Sequence, residues 1–236
     1  MKTTCPLARS GFIGLAALLL LTTPRVVAAG SALIDGGGTF NVPVVSFTEA
    51  RFRYVVKQQY DFSCGSAALA SLLTYHYARP TKEQEVFKVM WEHGDQQKIQ
   101  KEGFSLLDMK NYLASIGYDA GGFRISLDKL RELRVPAIAL VNLKGYLHFV
   151  VLSGVSDRHV LVSDPAVGLR ELPRAAFEQM HNGIFFLIRN RADIALRSFN
   201  EEKRWRSITR SPNSEAVSRS SLAAFTLSLP ARGDFN

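Results

Sequence analysis

The hydrophobic and polar positions of this 236-residue chain change their period near the middle of the sequence. Between residues 64 and 133 apolar residues recur at helical spacing, whereas between residues 137 and 188 they form short β-branched runs separated by turn residues. Helices followed by strands are typical of α+β proteins, in which the helices pack on an antiparallel sheet. The pattern therefore predicts an α+β fold with N-terminal helices packed on a C-terminal antiparallel sheet.

Four helices are predicted in the first half, at residues 64–77, 81–93, 105–116 and 126–133. Ser105 and Asp108 have the spacing of a capping box, in which two side chains satisfy free N–H groups at a helix start. Thr81 and Gln84 have the same spacing and mark the start of the second helix. The charged run at residues 83–101 is interpreted as a solvated helix face.

Five strands are predicted in the second half, at residues 137–143, 147–155, 159–163, 169–172 and 184–188. Turn residues at 144–145 and 156–157 separate the first three, so these strands are expected to pair antiparallel and to pack against the first helix. Gly121 and Gly122 are interpreted as a turn or a bulge.

The first 29 residues have the features of a secretory signal peptide. Lys2 and Arg9 precede an apolar run at residues 12–21, and small residues fit a cleavage site after Ala29. The run is shorter than the roughly 20 residues that span a bilayer, so no integral membrane span is expected after the leader is removed. The leader predicts an exported, periplasmic protein, with a retained leader acting as a membrane tether as the alternative.

Composition divides the rest of the chain into three parts. Residues 30–49 are expected to form a flexible lead-in, residues 50–190 one domain, and residues 191–236 a basic Ser/Arg-rich tail that is poorly ordered. The formal net charge is +8, but the leader and the tail carry most of the excess. Because no basic helix face or zinc-finger spacing accompanies this charge, nucleic acid is not an expected partner.

Cys64 is the one cysteine expected in the mature chain, since Cys5 lies in the predicted leader. A single thiol cannot form an internal disulfide, which leaves pairing with another chain, a buried inert thiol or a reactive nucleophile. Cys64 lies where the first helix begins, and the partial positive charge of a helix N-terminus favours a thiolate. This placement favours the nucleophile.

Three further side chains complete a candidate site around Cys64. A thiolate nucleophile needs a base, a group that orients the base, and donors for the oxyanion. His148 lies in the second predicted strand and Asp164 at the end of the third, where neighbouring strands can bring them together. Gln58 can reach back to the helix start and donate its amide, whereas Gln59 points to the opposite face. His148 or Asp164 alone would indicate a core histidine or a turn, so the hypothesis depends on the set.

The segments QQYDFSCGSAAL at residues 58–69, HFVVL at 148–152 and DP at 164–165 resemble the bacteriocin-processing, double-glycine-leader cysteine peptidase family of the papain-like superfamily. The resemblance covers about residues 50–190 and implies a papain-like fold. It also implies a role for each site residue: Cys64 as nucleophile, His148 as general base and acid, Asp164 as the group that orients His148, and Gln58 as oxyanion donor. Ser63 departs from the family pattern, since many members have Asp directly before the cysteine.

The family commonly cuts peptide leaders after Gly-Gly, often within an ABC exporter, and no transporter portion accompanies this domain. The chain is most similar to standalone secreted relatives, one of which accompanies the functional-amyloid secretion system of pseudomonads. The resemblance therefore implies an exported cysteine endopeptidase that hydrolyses a secreted or amyloid-forming client protein. Components of an outer-membrane secretion system are its implied partners.

Two other functions remain open at this point. A peptide-binding accessory on the same fold would hold an export client without cutting it, and a transglutaminase-like enzyme would use the same triad for acyl transfer. The four histidines at positions 76, 93, 159 and 181 have no second ligand at metal-site spacing, so neither a metal nor a cofactor is expected.

Overall fold

The computed structural model describes residues 30–34, 38–42 and 46–208. The predicted leader and residues 209–236 of the predicted tail lie outside the described residues. Strands β1 (Gly30–Ile34) and β2 (Gly38–Val42) pair antiparallel in a first unit. The lead-in predicted as flexible therefore contains paired strands. The sequence there lacks the alternation of apolar and polar residues by which strands are recognised, but backbone hydrogen bonds between two strands do not require it.

The second unit contains the helices and a six-stranded sheet. Its helices are α1 (Phe47–Arg51), α2 (Cys64–His76), α3 (Glu83–His93), α4 (Gln96–Glu102), α5 (Leu106–Ser115), α6 (Leu127–Leu133), α7 (Arg174–Met180), α8 (Ala192–Ala195) and α9 (Glu202–Arg206). Its strands are β3 (Ala120–Arg124), β4 (Ala137–Leu143), β5 (Tyr146–Val155), β6 (His159–Asp164), β7 (Gly168–Pro173) and β8 (His181–Ile188). The strand order is β3-β8-β4-β5-β6-β7, and every neighbouring pair is antiparallel. This arrangement confirms the α+β fold class.

Helices cover both faces of the sheet. On β5, Phe149 and Val151 belong to the apolar cluster formed with α2, α3 and α5. Val150 and Leu152 belong to the cluster formed with α6 and α7. Both faces are buried, which explains why the strand sequences are nearly continuous apolar runs rather than alternating ones.

Helix α2 is buried along almost its whole length, and small side chains allow its close packing. A Cβ atom at Gly65 would lie 3.0 Å from Met109 Cε and 3.1 Å from Phe104 Cβ. A larger residue after Cys64 would therefore require Met109 and Phe104 to shift, and glycine allows the start of α2 to pack closely against them.

The two predicted capping boxes have different outcomes. The Ser105–Asp108 box is confirmed, because each side chain accepts a hydrogen bond from the other residue's backbone N–H. The Thr81 prediction is wrong. Helix α3 begins after Lys82 without a side-chain cap, and the Thr81 hydroxyl donates instead to the Arg79 carbonyl.

Helix α4 and strand β3 are among the elements that the sequence patterns did not predict. Helix α4 is too short to show helical periodicity, and the glycines at 121 and 122, interpreted as a turn or bulge, lie within β3. A Cβ atom at Gly122 would lie 3.2 Å from Ile184 Cγ2 on the paired strand. Glycine here permits close approach of neighbouring side chains rather than a change of chain direction.

Residues 192–208 are a folded part of the second unit, which corrects the prediction of a poorly ordered tail from residue 191. Phe199 and Arg204 are buried. The Asn200 side chain accepts a hydrogen bond from Val155 N and donates one to Val155 O. The polar, Ser/Arg-rich composition gave no sign of this folded segment. A few buried contacts hold it in place rather than a continuous apolar pattern.

Arg204 joins this C-terminal segment to the end of α2 through His76. The Arg204 Nη1 atom lies 2.9 Å from His76 Nε2, and Nη2 donates to the Tyr75 carbonyl at 2.5 Å. His76 Nδ1 lies 2.8 Å from Ser198 Oγ. Since a guanidinium can only donate, His76 Nε2 is the acceptor and Nδ1 carries the proton, so the network requires a neutral imidazole.

We expect the free energy of unfolding to fall as the pH drops below about 6.5, because burial and the Arg204 charge hold the pKa of His76 well below 6.5. A histidine with a lowered pKa in the folded protein contributes stability above its unfolded pKa and loses it as the pH falls, by up to about 1.4 kcal/mol per pH unit. His76→Gln should flatten this dependence between pH 7 and 5 in urea denaturation. His159→Gln, at a half-exposed position, is the control. Equal slopes in wild type and His76→Gln would contradict the prediction.

Candidate active site

Cys64 is the first residue of α2 and is a free, buried thiol. The helix has no side-chain cap at Ser63, so the N–H groups of its first turn have no partner within the helix. The nucleophile candidate therefore lies beside the positive end of the helix dipole, as its position in the sequence predicts.

His148 and Asp164 lie on the neighbouring antiparallel strands β5 and β6 and meet in the interior. The distance between His148 Nε2 and Asp164 Oδ1 is 2.8 Å, and both side chains are at most 2% exposed. The second ring nitrogen, Nδ1, makes no hydrogen bond of ordinary geometry within the described residues, and the Cys64 thiol of α2 interacts with the ring. The structure thus brings together three of the predicted site residues.

The electrostatics of this group favour a charged imidazole. Burial alone would lower the pKa of His148, but the hydrogen bond with Asp164 and the interaction with Cys64 outweigh it and raise the pKa to about 9. Burial would likewise raise the pKa of Asp164, but His148 and Arg170 keep it below its usual value. An imidazolium that persists through neutral pH can hold a thiolate beside it.

Gln58 is fixed close to this group, although its amide points elsewhere. Its backbone N–H donates to the Pro165 carbonyl at 3.0 Å, directly after Asp164. Its side-chain Nε2 donates to the Tyr60 carbonyl at 3.1 Å, in the turn that leads to Cys64. Gln59 is exposed, as expected from the alternation of an extended segment. The structure therefore places Gln58 at the site with its amide bound to the turn.

Glu83 is a buried residue of the site region that the sequence pattern assigned to a solvated helix face. It is 3% exposed, and its Oε1 atom accepts a hydrogen bond of 2.5 Å from Ser63 Oγ. The same oxygen accepts from the Gln59 N–H at 3.3 Å. A carboxylate from α3 thus holds the turn before Cys64 at Ser63, the position where many family members have Asp.

Tyr146, the first residue of β5, closes one side of the site. Its ring stacks on His148 with centroids 6.0 Å apart, and its hydroxyl donates to the Asp61 carbonyl at 2.8 Å. Tyr146 thereby connects the histidine strand to the turn that carries Gln58 and Cys64.

A groove of about 840 Å³ opens at Cys64. Its lining includes the apolar side chains of Leu107 and Leu147, which are 62% and 55% exposed. Lys98 and Lys101 add positive charge. Exposed large apolar side chains beside a concave surface are typical of a site that binds another molecule.

The remaining histidines lie apart from this site. His76 belongs to the Arg204 network, and the His93, His159 and His181 rings bind the Val89 carbonyl, Glu171 and the Ile184 carbonyl. Within residues 46–208, no group of three or more His, Cys, Asp or Glu side chains could hold a metal ion. No helix in the described parts of the chain is long and apolar enough to cross a membrane.

A cysteine at the start of a buried helix, facing a histidine–aspartate pair on an antiparallel sheet, defines the cysteine peptidases of papain-like fold. Comparison with known families agrees: residues 53–193 match the model of the peptidase C39 family, and the chain belongs to this family. The family resemblance in the sequence is thereby confirmed, and the chain is a cysteine peptidase.

Two relatives support this assignment, and one solved structure shows the same fold. The probable functional amyloid protease FapD of Pseudomonas aeruginosa is 41% identical over 171 residues, which cover 72% of this chain and 76% of the relative. The protein of the same name from Pseudomonas fluorescens is 41% identical over 174 residues, with 72% of this chain and 76% of the relative covered. The peptidase domain of Streptococcus ComA, a bi-functional ABC transporter, shares the fold with a TM-score of 0.50 and 19% identity, over 57% of this chain and 96% of that domain.

Proposed function

We propose that Cys64, His148, Asp164 and Gln58 form the catalytic set of an endopeptidase. The observation that carries this proposal is the position of His148, which is bound to Asp164 through Nε2 and interacts with Cys64. With Nε2 occupied, Nδ1 is the nitrogen left to exchange a proton with the thiol and with the substrate. The carboxylate fixes the ring so that this exchange needs little reorganisation.

The reaction proceeds through an acyl-enzyme. The Cys64 thiolate attacks the scissile carbonyl, a C–S bond forms, and His148 gives its proton to the leaving amine as the C–N bond breaks. Neutral His148 then takes a proton from water, whose oxygen attacks the thioester. The C–S bond breaks and the thiolate–imidazolium pair is restored. The peptide leaves with a new carboxylic acid, which releases its remaining proton to solvent and becomes a carboxylate.

The oxyanion of both tetrahedral intermediates needs two donors. The backbone N–H of Cys64 at the helix start is one, and the Gln58 amide is the other. In the free protein Gln58 Nε2 donates to the Tyr60 carbonyl. A rotation of the side chain would transfer this donor to the oxyanion, in keeping with catalytic hydrogen bonds that tighten only when substrate binds.

The substrate is an extended polypeptide that occupies the groove beside Cys64. The apolar lining at Leu107 and Leu147 supports binding of apolar side chains, and membership of the family supports cleavage after Gly-Gly. The similarity to two functional amyloid proteases supports a secreted or amyloid-forming client and a secretion system as partner. The leader features of residues 1–29 support export to the periplasm.

Mapping of new protein termini tests this function. The purified enzyme and its Cys64→Ala variant are each incubated with proteins secreted by a strain that lacks the gene, and termini are identified by mass spectrometry. We expect new termini after Gly-Gly in a secreted protein with the wild type alone. Equal termini in both samples would contradict the proposal, and client binding without cleavage by either would instead favour the peptide-binding accessory.

A further inference from the structure

The two oxygens of Asp164 have different partners. Oδ1 lies 2.8 Å from His148 Nε2 and accepts from the Ala166 N–H at 2.9 Å. Oδ2 lies 2.9 Å from Arg170 Nη2, in an ion pair that lacks the alignment of a good hydrogen bond. Arg170 stands on β7, two positions beyond Gly168, the residue that pairs with Asp164 in the sheet. The buried carboxylate is thus held between a histidine and an arginine.

The charges of this group change during the proposed reaction. Before attack, the Cys64 thiolate and the Asp164 carboxylate face two cations, protonated His148 and Arg170. After the leaving amine has taken its proton, Cys64 is acylated and His148 is neutral, so Arg170 is the cation that remains beside Asp164. A carboxylate that is 1% exposed is costly without a partner cation.

We propose that Arg170 is a positioning residue of the active site, holding Asp164 ionised and in one orientation while His148 is neutral. This inference rests on the proposed function. It also explains how the imidazole can release its proton at all, because an unbalanced carboxylate would retain that proton on His148.

The consequence is a change in the titration of His148. The ionisable groups that act on the His148–Asp164 pair are Cys64 from α2, Arg170 from β7 and Tyr146 from the start of β5. Removal of the Arg170 charge leaves a net negative field at the imidazole, which binds its proton more tightly. The variant enzyme should therefore be a weaker acid at His148 and should acylate more slowly.

The experiment follows the imidazole by NMR in full-length protein labelled with 13C-histidine, with the spectrum of His148→Gln for assignment. We expect the midpoint of His148 near pH 9 in the wild type. Arg170→Gln should raise this midpoint by about half a pH unit or more, a change of roughly threefold or more in the proton-binding constant. Arg170→Lys, which keeps the charge, should stay near the wild-type value. Arg174→Gln is the matched control, since Arg174 pairs with Asp128 and Glu178 away from the site.

Each outcome supports or overturns the proposal. A lower melting temperature in Arg170→Gln with an unchanged His148 midpoint would show a merely structural role and overturn it. If Arg170→Gln does not fold, an upward shift of the His148 midpoint in Arg170→Ala or Arg170→Met supports the proposal. An equal upward shift in Arg170→Lys, which keeps the charge, overturns it. A separate measurement tests the proposed function itself, namely the rate at which iodoacetamide alkylates Cys64 at pH 6. An equally slow rate in the wild type and in His148→Gln would contradict the proposed function.

Discussion

Replacement of His148 by alanine is expected to abolish peptide hydrolysis. His148 contacts Asp164 and interacts with Cys64, and the other four histidines of the described residues bind elsewhere. Without it the thiol keeps its proton, and the leaving amine receives none. Initial rates on the client identified by terminus mapping should fall to background. Asp164→Asn should leave the fold intact and lower the rate by about 10²-fold or more, because the imidazole loses its orientation.

The matched control for this prediction is His159→Ala on the neighbouring strand β6. His159 is half-exposed and pairs with Glu171, so its loss should leave the rate near the wild-type value. Hydrolysis by His148→Ala at a rate like that of the wild type would rule out the proposed catalytic set.

Gln58→Ala is expected to lower kcat by about 10²- to 10³-fold, on the scale of other side-chain oxyanion donors. The hydrogen bond from the Gln58 amide to the oxyanion strengthens as negative charge develops. Its loss therefore acts on the transition state more than on substrate binding. KM should change little. The melting temperature should also change little, because in the free protein the Gln58 amide makes only exposed hydrogen bonds, to the Tyr60 carbonyl at 3.1 Å and to the Asp61 carbonyl at 3.5 Å.

Gln59→Ala is the natural comparison, since Gln59 is the adjacent residue of the same type and its side chain is exposed. It should have much less effect on kcat. Equal effects of the two substitutions, or a loss in Gln58→Ala that lies wholly in KM, would show that Gln58 is not an oxyanion donor.

The sequence predicted the elements whose periodicity is strong. The strand at Ala137–Leu143 has the predicted bounds, and α2 begins at Cys64 as expected. Both faces of the central strands are buried, so their apolar runs are long enough to recognise. Short elements such as α4 and the glycine-containing β3 give no such signal, because their stability comes from tertiary contacts rather than local preference.

The candidate site divides in the same way. Cys64, His148 and Asp164 could be placed because a helix start and two adjacent strands fix their positions from local sequence. Glu83 and Arg170 could not, because each is a common surface residue type whose contacts here depend on where a distant segment comes to lie. Their significance follows only from distances to Ser63 and Asp164 in the folded chain.

The folded C-terminal segment bears on how this enzyme can be shortened. Trp205 and Ile208 pack against the cluster formed by Val55, Leu161 and Leu169, beyond the end of the family match at residue 193. A chain cut at that boundary would expose this cluster to water and remove Asn200 and Trp205, which cover Gly154 on β5. Newly bared apolar surface of this kind promotes self-association, so a peptidase domain trimmed to the family match is expected to precipitate where the longer chain stays in solution.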